Sequence, residues 1–274
     1  MTVTVKQQDG LFLTSEYPNP PPPPSPHRTD KIVAVILLAI LLGVASAFAL
    51  IVVFPFFTGT PSQQLPSSNW SGYCIASDLI APQPQVTSVS ASWTVPTVTV
   101  SVDNSYSAAW IGVGGEYDGT LIQVGTEQDS INGRAAYSVW YELLPRYTVT
   151  IYSLGISPGD NITASISLSD RTTNTWSIKI NDVTDGQSFN RSVTYASSML
   201  SAEWIVELPT VTNHIARLAN FGHITFTNCT ATIGDETGVI SSFPSSQITL
   251  NSRQNIAVTV SALASEGSSF TVDY

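Results

Sequence analysis

The chain has 274 residues, with 20 Asp and Glu against 10 Lys and Arg, a net charge of −10 at neutral pH. Beyond residue 57 the imbalance is seventeen acidic against seven basic residues, with Lys179 as the single lysine. That balance excludes nucleic acid as a partner, because phosphate contacts need a basic surface.

Residues 1–31 are polar and include the proline run Pro18 to Pro26, which favours extended polyproline II and cannot build a core; they read as a cytoplasmic tail. Ile32 to Phe54 is 23 residues without a charge, and as a helix it is long enough to cross a hydrocarbon layer of about 30 Å. Residues 32–57 therefore read as a signal anchor. Cleavage after Ala45-Ser46-Ala47 would leave Phe48 to Phe57 as an apolar new terminus, and a secretory apolar region usually has only about 7–15 residues. Lys6, Arg28 and Lys31 precede the span, and no Lys or Arg follows it until Arg134. The positive-inside bias then gives a single-pass cell-membrane protein with its C-terminal region extracellular. Residues 58–66, rich in Pro, Ser and Gln, read as a linker, which leaves 67–274 as one domain with enough chain for its own core.

From Asn69 onward there is almost no helical periodicity. Short segments rich in Val, Ile, Thr, Tyr and Trp alternate with turn signals such as Pro158-Gly159-Asp160 and Asp185-Gly186. The pattern predicts an all-β fold, a β-sandwich of two antiparallel sheets. Cys74 and Cys229 both fall outside the membrane, where a disulfide persists, and they are expected to pair, joining an early strand to a late one. Sequons stand at Asn69, Asn161, Asn190 and Asn228.

Ser201 to Pro209 is a strand-like run carrying two carboxylates. Alternation places Glu203, Ile205 and Glu207 on one face and Ala202, Trp204 and Val206 on the other. Burying an ionised carboxylate without a partner costs several kcal/mol, so either this face is wet or a carboxylate there does chemistry. Histidine chemistry has little support: His27 precedes the membrane span, and His214 and His223 come without a Gly-x-Ser-x-Gly elbow. No short-spaced His or Cys pair suggests zinc, so neither metal nor cofactor is expected. Carboxylates and amides remain, set among six tryptophans.

Seven local sequences come in order: Asn69-Trp70-Ser71-Gly72-Tyr73, Trp93-Thr94-Val95-Pro96, Ala109-Trp110-Ile111-Gly112, Leu121-Ile122-Gln123-Val124-Gly125, Trp140-Tyr141-Glu142, Ala202 to Glu207, and Phe221 to Asn228. In this the chain resembles the glutamic peptidases, the eqolisins of peptidase family G1, over nearly the whole exterior region. The resemblance implies a concanavalin-like or jelly-roll-like sandwich with a substrate groove and a catalytic Gln and Glu. Gln123, in Ile-Gln-Val-Gly, and Glu207, at the end of Ala-Glu-Trp-Ile-Val-Glu, match that pair. Trp110 matches the aromatic flanking the groove, Trp70 and Glu142 fall near the active centre, and Glu203 is an upstream companion. Two departures alter the pocket wall: Val113-Gly114-Gly115 stands where the family has Ile-Asp-Gly, with Glu116 next in line, and Leu208-Pro209 stands where it often has Asp-Phe.

The residue types suit the chemistry. A Glu can take a proton from an attacking water and return it to the leaving nitrogen, while a Gln amide is a neutral donor for the developing oxyanion. The expectation is a monomeric, membrane-anchored extracellular acid endopeptidase acting on polypeptides, with Gln123 and Glu207 on neighbouring strands of one sheet. The rivals are a binding or adhesin sandwich, and a glycoside hydrolase that pairs Glu207 with Glu203 or Glu142.

Overall fold

The computed structural model describes residues 63–211, 214–251 and 258–274. The proline-rich tail, the anchor expected over 32–57 and the start of the expected linker lie outside the described residues. Among the described residues eighteen strands are found: β1 (Gln63–Ser67), β2 (Trp70–Ala76), β3 (Val86–Thr94), β4 (Ala108–Val113), β5 (Ile122–Ile131), β6 (Arg134–Leu143), β7 (Val149–Thr150), β8 (Asn161–Asp170), β9 (Thr175–Asp182), β10 (Gln187–Thr194), β11 (Ser201–Glu207), β12 (Thr210–Val211), β13 (His214–Ile215), β14 (His223–Ile233), β15 (Glu236–Val239), β16 (Ser245–Leu250), β17 (Thr259–Val260) and β18 (Phe270–Asp273). They form two eight-stranded sheets and a small hairpin, so the all-β sandwich expected from the sequence is present.

The first sheet runs β1-β16-β2-β11-β4-β5-β6-β7; the second runs β10-β9-β8-β3-β14-β18-β17, with β15 also on β14. Gln63 to Pro66, assigned to the linker from sequence, belong instead to the edge strand β1. It pairs in parallel with β16, the one departure from antiparallel pairing in the described sheets. The hairpin β12–β13 (Thr210 to Ile215) was also not anticipated.

The main core lies between the sheets. Tyr73, Ile111, Val124, Trp204 and Val206 of the first sheet meet Val89, Trp93, Ile166, Ile178 and Phe226 of the second. Strands β8 and β9 bury every second residue, as expected for a sheet with one face on the core and one in water. By contrast, every residue of β4 is buried, and so are the first six of β11. Their second face is covered by a separate apolar cluster of Cys74, Ala108, Trp110, Leu121, Trp140, Ile205 and Ile248, packed with Trp70 and Leu144. Alternation in β11 is as predicted: Trp204 faces the inter-sheet core and Ile205 the outer cluster.

The expected disulfide is absent. Cys74 and Cys229 are both free and fully buried. The reason is facial: Cys74 belongs to the outer cluster of the first sheet, whereas Cys229, on β14 of the second sheet, points into the inter-sheet core. A sheet separates them, and burial pushes both thiols up from their ordinary pKa, which leaves them unreactive.

Candidate active site

The outer face of the first sheet carries a cleft of about 350 Å³ lined by Trp70, Gln123, Glu127, Trp140, Glu142 and Glu207, with Asn69, Tyr106, Thr148 and the start of the β12–β13 hairpin at its walls. A second cleft of about 400 Å³, lined by Thr94 to Thr97, Gly159, Phe221 to His223 and Thr225, has His223 as its one titratable side chain and lacks a carboxylate. Acid–base chemistry belongs to the first.

Glu207 ends β11, between Trp70 of β2 and Ala108 of β4. Its Oε1 accepts a hydrogen bond from Asn69 Nδ2 at 2.9 Å, and its Oε2 accepts one from Trp110 Nε1 at 2.8 Å. Trp70 stands edge-on to Trp110, ring centroids 5.1 Å apart. Burial dominates the electrostatics and pushes the Glu207 carboxyl up to about 7, against the pull of the Trp110, Trp70 and Asn69 donors; the Glu142 carboxylate adds a smaller upward push. The Trp70 indole N–H acts at longer range, since it makes no hydrogen bond within normal limits.

Two glycines let Trp110 reach Glu207. A Cβ on Gly112 would come within 2.9 Å of Trp110 Cζ3, and one on Gly125 within 2.5 Å of Trp110 Cβ. Any side chain at either position would displace the indole. This is the physical content of the Trp-Ile-Gly and Gln-Val-Gly sequences.

Gln123 lies on β5, opposite Glu142 of β6. It is 4 % exposed, and its Nε2 donates to Glu142 Oε2 at 2.7 Å, while Glu142 Oε1 accepts from Thr148 Oγ1 at 2.7 Å. Glu142 thus fixes the orientation of the amide and leaves the second Nε2 hydrogen for the cleft. The Gln123 Oε1 atom is buried and unpartnered. As parity required, Gln123 shares the outer face with Leu121.

Three expectations need correction. Gln123 and Glu207 are not on neighbouring strands: β4 lies between β11 and β5, and the register sets Glu207 beside Ala108 but Gln123 beside Gly112. Trp110 does not flank the groove; it is fully buried in the outer apolar cluster, where its indole N–H holds Glu207. Glu203 does not reach the cleft either. It is fully buried beside Cys74 and Gly112, and neither carboxyl oxygen has a hydrogen-bond partner. Desolvation pushes its pKa well up; the Ser201 hydroxyl, beyond normal hydrogen-bond limits, pulls it down, and the Glu116 carboxylate pushes it further up. Glu116 therefore neighbours Glu203 and is not part of the cleft wall.

Sequence reasoning missed two residues of the cleft. Asn69 was named as a sequon and as the first residue of the Asn69 to Tyr73 sequence but given no role at the site, yet its amide nitrogen holds Glu207. Its place directly before Trp70 was the available signal. Glu127 lies in the Glu207 row, across Ala108, and accepts from Ser138 Oγ at 2.9 Å; burial raises its pKa.

Comparison with known proteins gives the chain its family. The model of the Peptidase A4 family matches residues 68–274. The chain belongs to the Peptidase A4 family. Aspergillopepsin-2 of Aspergillus niger is 29 % identical over 203 residues, covering 65 % of this chain and 69 % of that protein. The crystal structure of aspergilloglutamic peptidase from the same organism matches with a TM-score of 0.55 at 27 % identity, over 62 % of this chain and 99 % of that one. Scytalido-glutamic peptidase, solved with a peptide-based transition-state analogue, has a TM-score of 0.62 at 22 % identity, over 76 % of this chain and 98 % of that one, a likeness of fold.

As a Peptidase A4 member this chain is a glutamic endopeptidase of the eqolisin type. That sets aside the glycoside hydrolase and adhesin alternatives. In the Peptidase A4 domain the departures from family pattern are absorbed locally: Leu208 is buried, its N–H bonded to Asn69 O at 2.8 Å, and Pro209 forms part of the cleft wall.

Proposed function

We propose that the chain is a membrane-anchored, outward-facing acid endopeptidase in which Glu207 and Gln123 hydrolyse the peptide bond. The observation that carries this reading is a carboxyl at the cleft, held by Asn69 and Trp110, whose pKa is pushed up to about 7. In acid, Glu207 therefore begins the cycle protonated.

One carboxyl oxygen takes a proton from water as the water oxygen bonds to the scissile carbonyl carbon. The other carboxyl oxygen gives its proton to the carbonyl oxygen, so a neutral gem-diol forms and Glu207 remains protonated. In the second half-reaction the carboxyl protonates the leaving nitrogen and takes a proton from one hydroxyl; the C–N bond breaks to give a carboxylic acid and an amine. Gln123 donates its free Nε2 hydrogen to the carbonyl oxygen as charge builds there, a contribution of about 2.7–4 kcal/mol in comparable oxyanion holes.

Polypeptide substrates are supported by the peptide-based analogue bound to scytalido-glutamic peptidase. The anchor rests on the uncharged run from Ile32 to Phe54 and the one-sided Lys and Arg distribution. Hydrolysis of a denatured protein by the purified chain tests the activity. The value of kcat/KM should hold in acid and fall as pH rises through about 7; a rate that instead rises through 7 contradicts the protonated starting state. For the anchor, protease added to intact cells should remove the domain and spare the tail. Loss of the tail with the domain retained reverses the orientation.

A further inference from the structure

Away from the cleft, three aspartates converge at one end of the second sheet. Asp160 immediately precedes β8, Asp182 is the last residue of β9, and Asp185 sits in the turn leading to β10. One carboxylate oxygen from each lies within 4.8 Å of the others. Two of the three are buried: Asp160 is 7 % exposed and Asp182 is 0 % exposed. Surface acidic groups commonly sit together in water at little cost, but these two are out of water.

The surrounding hydrogen bonds make the arrangement rigid without neutralising it. Asp182 Oδ1 accepts the N–H groups of Thr184 and Asp185 at 2.9 and 3.2 Å, and Asp160 Oδ2 accepts the N–H of Ser157 at 2.6 Å. The two loops are tied together by Val183 N–H to Asn161 O at 2.8 Å and by Asn161 N–H to Thr184 Oγ1 at 2.9 Å. Asp182 Oδ2 is left buried with no hydrogen-bond partner. No cation answers the group: among the described residues the one ion pair is Arg217 with Asp103. Buried carboxylates are paired with a cation or coordinate a metal, because desolvation of an uncompensated charge costs several kcal/mol and like charges this close repel.

We propose that Asp160, Asp182 and Asp185 form a calcium site. All three offer hard oxygen ligands, which suits an alkaline-earth ion over zinc or copper. Their irregular origin, from one loop and one turn, favours calcium, which accepts six to eight oxygens in flexible geometry, over magnesium, which demands a near-ideal octahedron. Exposed Asp185 gives the ion its route in. Bound there, calcium clamps the Ser157 to Asp160 loop to the β9–β10 turn and stabilises that end of the second sheet.

The test is calorimetric titration of CaCl2 into the chelator-stripped full-length chain at pH 7, together with Tm in 5 mM CaCl2 and in 5 mM EGTA. A site in the roughly 0.1–1 mM class of extracellular modules should show one ion per chain and a Tm about 2–9 °C higher in calcium. Asp182→Asn should abolish both effects. Since that buried substitution can unfold the chain, Asp185→Asn at the exposed ligand is the second variant: calcium affinity should drop about tenfold or more, with Tm in EGTA unchanged. A wild-type chain that shows neither heat nor Tm shift, or an Asp185→Asn chain that binds calcium as tightly as wild type, overturns the proposal.

Discussion

The Trp110 indole Nε1 donates to Glu207 Oε2 at 2.8 Å from a ring with no exposed surface, so a buried tryptophan on β4 sets the position of the cleft carboxyl on β11. Trp110→Phe keeps most of the packing and removes this donor. A hydrogen bond to a charged group contributes about 1.5–3 kcal/mol, so its loss should favour the protonated carboxyl and move the descending limb of the pH profile up by about one to two units. The value of kcat/KM in acid should change by about tenfold or less. A profile that keeps its limb at the same pH would show that Trp110 does not act through Glu207.

Stability should depend on pH with an unusual sign. Burial raises the carboxyls of Glu203, Glu207 and Asp129, the last two to about 7. A group whose folded pKa lies above its unfolded value contributes stability that is complete below the unfolded pKa and is lost as pH climbs through the folded pKa. Tm should therefore be highest at about pH 4 or below and decline through pH 7. Glu203→Gln cannot ionise, so its Tm should match wild type in acid and exceed it at neutral pH. A variant less stable than wild type at pH 7 would refute this account of Glu203.

The thiols give a simpler check. Because Cys74 and Cys229 are free and face opposite sides of a sheet, reductant should leave Tm unchanged, and two thiols should titrate in the unfolded chain but none in the folded one. A Tm that falls in reductant would indicate a bond between them.

Much of this was legible before the structure. Two-residue periodicity identified the strands and the faces of β11, and local sequences around Gln123 and Glu207 pointed to the cleft. What failed did so for long-range reasons. Gln63 to Pro66 read as linker because the hydrogen bonds of β1 come from β16, nearly two hundred residues on. The cysteine expectation failed because spacing and compartment carry no information on which face of which sheet each residue occupies. Glu203 looked like a partner of Glu207 because parity is correct, yet parity does not reveal that the outer face is itself roofed at that row. Asn69 was read as part of a local sequence, and its bond to a carboxyl 138 residues on is a tertiary contact; the aspartate cluster joins residues 160, 182 and 185 only through the pairing of β8, β9 and β10.

Gln123→Ala removes the neutral donor and leaves Glu142 without its amide partner. The expected loss in kcat is about 10²–10³-fold with little change in KM, as for other oxyanion donors. An increase in KM alone would reassign Gln123 to substrate binding.

Glu207→Gln tests the central claim most directly. Assayed in acid against a denatured protein, beside wild type and with Tm recorded for both, the variant should fold normally and lose about 10²–10⁴-fold or more in rate, because a Gln amide can neither give nor take the proton. If the folded variant hydrolyses the substrate at the wild-type rate, Glu207 is not the catalytic carboxyl and the assignment of the cleft chemistry is wrong.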